Sequence, residues 1–184
     1  AGKREDKRME QFDRDAFCAG GASEAYRTLG AHRTHGGWVF RVWAPHAAHV
    51  SVVGDFCAWD AAAHPMRRTD GGIWETEIAG LQQYDVYKFA VATRSGRVTL
   101  KADPYAFHAE TRPGTASKLY DLAGYEWGDA AYRAAKRPVY DRPLNIYEVH
   151  PGSWRRRENG DFYDYRTLAD ELSDYVSDLG YNCV

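Results

Sequence analysis

The chain has 184 residues, with 24 Lys plus Arg against 26 Asp plus Glu and a net charge of −2. That balance excludes a nucleic-acid binder working through a basic footprint, and equally a polybasic membrane-surface protein. With 44% hydrophobic and 27% charged residues a packed core is expected, but a whole (β/α)₈ barrel, at about 250 residues, does not fit.

Residues 1 to about 11 are a polar lead. From Phe12 to Gly30 apolar residues are sparse, which predicts short helices or turns. At Trp38 the period becomes two: Trp38, Phe40 and Val42 share one face, Val39, Arg41 and Trp43 the other, and Pro45 closes the run. Val50–Val53 is a second strand, ended by Gly54-Asp55. Ile73–Ile78 is a third, opened by Asp70-Gly71-Gly72 and closed by Gly80. Val86–Ala92 is a fourth, and Arg97–Lys101 a fifth, after Ser95-Gly96. Short strands separated by turn residues predict a mostly β fold, an immunoglobulin-like antiparallel β-sandwich. The aromatic content, 6 Trp, 13 Tyr and 7 Phe, suits large cores, stacking surfaces, or both.

After Asp103-Pro104 the pattern changes. Residues 104–143 are proline-rich and read as a connection with one short helix at 128–135. Leu144–Val149 then reads as an apolar strand. Leu168, Leu172, Tyr175, Val176 and Leu179 recur at helical spacing, with Asp164 as N-cap and Gly180 as stop. Tyr181–Val184 resembles the opening of a further strand, so the region has the order of a βαβ unit. The expected domains are a lead at 1–33, a sandwich at 34–104, a connection at 105–143, and the start of a barrel at 144–184. Both ends of the chain look cut.

Cys18, Cys57 and Cys183 have no CxxC spacing, which favours a reducing, cytoplasmic home. The charged start lacks the apolar core of a signal peptide, and no stretch approaches the roughly 20 apolar residues of a membrane span. Neither a nucleic acid nor a membrane is expected as a partner. His46 and His49 have a loose metal-like spacing, but no Cys, Asp or Glu on the same element completes a set. No metal or cofactor is expected.

Taken together, Phe40-Arg41-Val42-Trp43-Ala44-Pro45, Val50–Phe56, Trp59-Asp60, Pro65-Met66, Tyr87-Lys88-Phe89 and Lys101–Ala106 occur in an order that resembles bacterial 1,4-α-glucan branching enzymes of the α-amylase superfamily. Pro113–Ser117, Ile146–His150 and Gly152-Ser153-Trp154 extend the likeness. The resemblance implies a carbohydrate-binding sandwich followed by the truncated first βα unit of a (β/α)₈ barrel. It implies glycogen or amylose as partner, together with the missing remainder of the chain's own barrel. The reaction implied is cleavage of an α-1,4 bond and transfer of the segment to a 6-hydroxyl. Its catalytic carboxylates lie on later barrel strands, so no catalytic residue is expected in this chain. The glucan-binding residues implied are Trp59, after the Gly-Asp-Phe turn, and Lys88, in the Tyr-Lys-Phe strand. Val98 stands where related modules carry a second stacking Trp. Pro151 replaces a usual Leu, and Cys57-Ala58 a usual polar pair. A free-standing glucan-binding module, or the front end of a debranching or trehalose-forming hydrolase, is the alternative.

Overall fold

The structure, a computed structural model, describes residues 12–135 and 142–184; the polar lead lies outside these residues. The chain divides into two compact units, Ala1–Tyr125 and Glu126–Val184.

The first unit is a sandwich of two antiparallel sheets. One has the order β1 (Gly30–Arg33), β2 (Trp38–Trp43), β5 (Ile73–Ile78), β4 (Arg67–Arg68). The other runs β3 (His49–Gly54), β6 (Val86–Ala92), β9 (Ser117–Lys118), β8 (His108–Ala109), with β7 (Val98–Lys101) also on β6. The strand β6 pairs with β3 along one edge. Its other edge is divided between β9, at Val86 and Tyr87, and β7, at Phe89 to Ala92. All five strands expected from the alternation are present. The short strands β1, β4, β8 and β9 add to them.

Period-two alternation sends Trp38, Phe40 and Val42 of one sheet, and Val50, Val52, Tyr87 and Phe89 of the other, into one core. The Phe40 and Tyr87 rings meet edge to face across it, with centroids 5.1 Å apart. Residues 64–66 lie along the free edge of β3: His64 and Val50 supply carbonyls to the amides of Val52 and Met66, at 3.0 and 2.8 Å. The chain then passes into β4 and joins the opposite sheet.

The first sheet is covered on its second face as well. The helix α1 (Arg14–Cys18) and a 3₁₀ turn at Ala25–Arg27 bring Phe12, Phe17, Ala25 and Leu29 against Ile73 and Tyr105. Arg41 is therefore buried, at 1% exposure. Its Nε donates to Glu75 Oε2 at 2.6 Å, directly across the β2–β5 ladder. A buried guanidinium needs such a partner, because an unpaired one would carry the whole desolvation penalty. Trp43, on the same face as Arg41, is by contrast 45% exposed. It lies past the end of the covered face, where its ring meets Phe17 and its Nε1–H donates to the Gly71 carbonyl at 3.1 Å.

Asp103 closes the core of its own unit. Its Oδ2 accepts from the buried Tyr87 hydroxyl at 2.7 Å and its Oδ1 from the Tyr105 amide at 2.8 Å. Its own amide donates to Ser117 Oγ at 2.9 Å. One carboxylate thus ties β6 to the loop after β7 and to the start of β9.

In the second unit the helix α3 (Tyr165–Asp178) follows the sequence reading at both ends, after a short helix α2 (Ala130–Ala135). Asp164 caps α3 by accepting from the amides of Thr167 and Arg166, and these bonds hold its carboxyl below the usual range. Gly180 takes the left-handed conformation, φ 75°, that ends it. Leu168 and Val176 are the buried residues of α3. Leu144–Val149 is not a full strand: among the described residues its pairing is a single parallel bridge, Ile146 to Cys183, with the Tyr147 amide on the Cys183 carbonyl at 2.9 Å. Both partners are consistent with the expected βα order, but one short neighbour cannot propagate a ladder.

Burial pushes the Asp103 carboxyl up to about 6, against the bonds it accepts from Tyr87 and Tyr105. Between about pH 4 and about pH 6 the unfolded chain releases this proton while the folded chain retains it. The contribution of Asp103 to stability therefore falls as pH rises through that window, by up to about 3 kcal/mol. Urea unfolding of the protein and of Asp103→Asn at about pH 4 and about pH 7 checks this. The stability difference between the two should shift against the unsubstituted protein at the higher pH, and parallel pH profiles would contradict it.

Candidate functional site

The turn after β3 starts at Gly54, where a Cβ would run into the Val86 carbonyl and the Phe56 ring. Asp55–Cys57 form a 3₁₀ turn, and Ala58 and Trp59 both take left-handed backbone, φ 50° and 61°. Two consecutive non-glycine residues in that region are strained. Three bonds hold them. The Trp59 amide donates to the Gly54 carbonyl at 2.9 Å, the Ala58 amide to that of Asp55 at 3.1 Å, and the Asp60 amide to that of Cys57 at 3.0 Å. Cys57 supplies part of what a polar residue would: its thiol donates to the Gly54 carbonyl at 3.4 Å.

The side chain of Trp59 is pinned separately. Its Nε1–H donates to Asp55 Oδ1 at 2.8 Å, and the residue remains 36% exposed. A tryptophan that plugged the edge of the sandwich would be covered. Here the indole N–H is satisfied by the turn itself, while about a third of the residue stays accessible.

Lys88 lies between Tyr87 and Phe89 on β6, so alternation turns it to the face away from the core. Its register partner is Val53, and that of Tyr87 is Gly54, the residue to which the Trp59 amide is bonded. Backbone pairing thus brings the two sequence-derived positions to the same end of the sheet. Lys88 Nζ donates to Thr115 Oγ1 at 2.6 Å. Thr115 is exposed and precedes β9, the other neighbour of β6. Neither Thr115 nor Asp55 carries a periodic signal; both become visible only through their bonds to the two residues already singled out. Val98 is 53% exposed and lies on β7, opposite Ala92.

Such a site can accept a ligand whose apolar face lies on the indole and whose hydroxyls take bonds from an ammonium and a threonine hydroxyl. It offers no paired carboxylates for acid–base work. Among the described residues no group of three His, Cys, Asp or Glu is placed to hold a metal ion, and no helix is long and apolar enough to cross a membrane. His150, at the end of the expected barrel strand, bonds through Nδ1 to Ser153 Oγ at 2.9 Å. The exposed run Arg155-Arg156-Arg157 is partnered: Arg155 lies over the rings of Trp154 and Tyr175, Arg156 over Phe162, and Arg157 pairs with Asp164.

Residues 28–106 match the family model of carbohydrate-binding module 48, the isoamylase N-terminal domain. The chain is 46% identical to a 1,4-alpha-glucan branching enzyme of Halothermothrix orenii, over 97% of its own length and 30% of that relative. It is 44% identical to the enzyme of the same name from Bacillus caldolyticus, over 90% of its length and 26% of that protein. It matches their amino-terminal region and spans less than a third of the length of these curated relatives. Among solved structures, the fold is shared with a Salmonella typhimurium protein provisionally assigned as an alpha amylase (TM-score 0.60, 22% identity, 84% of this chain and 24% of that one). It is also shared with a pullulanase from Bacillus acidopullulyticus (TM-score 0.54, 24% identity, 71% and 16%).

The bond from Trp59 to Asp55 has a direct consequence. In Asp55→Ala the Trp59 indole N–H loses its acceptor and should exchange with solvent faster than in the unsubstituted protein, with the β-strand amides unchanged. Hydrogen exchange followed on the indole resonances measures this. Unaltered protection of Trp59 would show that the carboxylate does not hold the ring.

Proposed function

We propose that this chain, homologous to 1,4-alpha-glucan branching enzymes and carrying a carbohydrate-binding module 48 domain, binds α-glucan through Trp59 and Lys88 and serves the branching reaction of a glycogen-forming transferase. The observation that supports this most is the pairing, at one end of β6, of a pinned and partly exposed indole with a lysine engaged by a hydroxyl. α-Glucans present C–H faces that stack on aromatic rings and hydroxyls that accept from ammonium groups. Thr115 occupies the position on Lys88 that a sugar hydroxyl would share or take.

The chemistry of branching makes a different demand. Retaining transfer between glucans uses a carboxylate nucleophile and a carboxylic acid on opposite sides of the sugar, at the carboxyl ends of barrel strands. The 184 residues are too few for such a barrel, so the role assigned to them is to hold the polymer while the transfer takes place elsewhere. The resemblance implies a second stacking Trp at the position of Val98, which supplies no ring. A modest affinity, raised by many repeats along one polymer, follows from that difference. The three free cysteines agree with a cytoplasmic place for the protein.

In a native gel containing glycogen the chain should migrate more slowly than in a blank gel. Trp59→Ala should weaken the apparent affinity about tenfold, the equivalent of about 1.4 kcal/mol, and Lys88→Ala should weaken it less. Equal migration of the unsubstituted chain in both gels would contradict the binding role. Amylose incubated with the chain should acquire no α-1,6 linkages; their appearance after debranching and chain-length separation would contradict the division of labour.

A further inference from the structure

A second set of rings lies at the other edge of the sandwich. The strand β8 is at the end of its sheet farthest from β3, and β1 ends the facing sheet. Around them is an open cleft of about 650 Å³, whose walls include Tyr26, His32, Phe107 and Tyr120. Phe107 meets Tyr26 and His32 edge to face, with centroids 6.5 and 5.8 Å apart. Tyr120 continues the set outward to His108 at 5.6 Å and Tyr84 at 5.7 Å. None of these rings belongs to the core clusters, and Tyr26 and Tyr84 are 40% and 51% exposed.

Tyr84 stands out further. Its backbone is left-handed, φ 75°, a conformation unfavourable for a bulky residue. Surrounding bonds impose it: its amide donates to the Leu119 carbonyl at 2.8 Å, and the Leu119 amide donates to the Asp85 carbonyl at 3.0 Å. The chain thus adopts a strained turn that leaves Tyr84 half exposed, with its ring against His108 and Tyr120. Such outliers concentrate where a side chain has to be presented.

The polar part of the cleft narrows the class of ligand. Asp13, Glu24 and Asp121 are set against Arg27 and Arg33, and Glu24 is already paired with Arg27 at 2.9 Å. Charges of both signs leave no field for a polyanion. Charged side chains among the rings do not suit a wholly apolar partner either. Rings mixed with hydrogen-bonding groups of both charges suit a neutral, polyhydroxylated chain.

We propose that this edge is a second α-glucan subsite, formed by Tyr84, Tyr120, Tyr26 and His32 and independent of Trp59. The proposal rests on the reading that the chain binds α-glucan, and it gives one polymer two separate sets of contacts on the module. Two weak contacts on one repeating ligand multiply in avidity, provided the polymer can reach both.

Titration of isotopically labelled chain with maltoheptaose, followed by chemical shifts, separates the two claims. In both the unsubstituted chain and Trp59→Ala, resonances of Tyr26, His32, Tyr84 and Tyr120 should move and saturate. Tyr26→Ala combined with Tyr84→Ala, in the Trp59→Ala background, should weaken the remaining affinity at least fivefold. The shift map of the unsubstituted chain decides the matter even if that triple variant is unstable. Movement confined to the surroundings of Trp59 and Lys88 would overturn the second subsite and leave the first. No movement anywhere would overturn both. Movement of the Tyr84 set with rising protein concentration in the absence of sugar would assign this edge to a second copy of the chain and overturn the proposal.

Discussion

The alternation of β6 is the constraint on which the rest depends. Tyr87 and Phe89 point inward and Lys88 between them points outward, so one strand builds the core and presents the lysine of the proposed site within three residues. Tyr87 fixes the arrangement because its hydroxyl cannot be buried without an acceptor. Asp103 is that acceptor, and through the Tyr105 amide and Ser117 it also fixes the loop after β7 and the start of β9. A slip of one residue would turn Lys88 into the core and expose both rings, which would unmake the sandwich and the site together.

The two sides of the proposed glucan site are held by different means. Lys88 is positioned by the sheet, whose register with β3 is set along six residue pairs. Trp59 is positioned by a turn that is strained in its backbone and tied by hydrogen bonds, including one from its own indole. Fixing the ring before a ligand arrives reduces the ordering cost that weak carbohydrate contacts otherwise incur. It also explains how Cys57 and Ala58 can occupy that turn. The backbone amides of Ala58, Trp59 and Asp60 supply three of the bonds that hold it, and the acceptor of the indole, Asp55, lies outside the pair.

The longer strands were legible from local sequence: 38–43 by its period of two, and 50–53, 73–78, 86–92 and 97–101 as short runs set off by turn residues. The strands β4, β8 and β9 have two residues each, too few to show any period, and exist because a neighbour offers an edge. Helix α3 was readable from Asp164 and Gly180 as well as from its apolar spacing. Leu144–Val149 has the composition of a strand but only one bridge, since a ladder depends on neighbours that local sequence does not specify. Trp59 and Lys88 were singled out by resemblance to a family. The partners that orient them, Asp55 and Thr115, could be found only in three dimensions. Arg41 and Asp103 illustrate the same limit, because a charged residue reads as exposed until its partner and its cover are known.

A crystal structure of the chain with maltoheptaose should place a glucose ring against the Trp59 indole, with one of its hydroxyls within hydrogen-bond distance of Lys88 Nζ. A sugar bound elsewhere on the module, with Trp59 and Lys88 left in solvent, would contradict it.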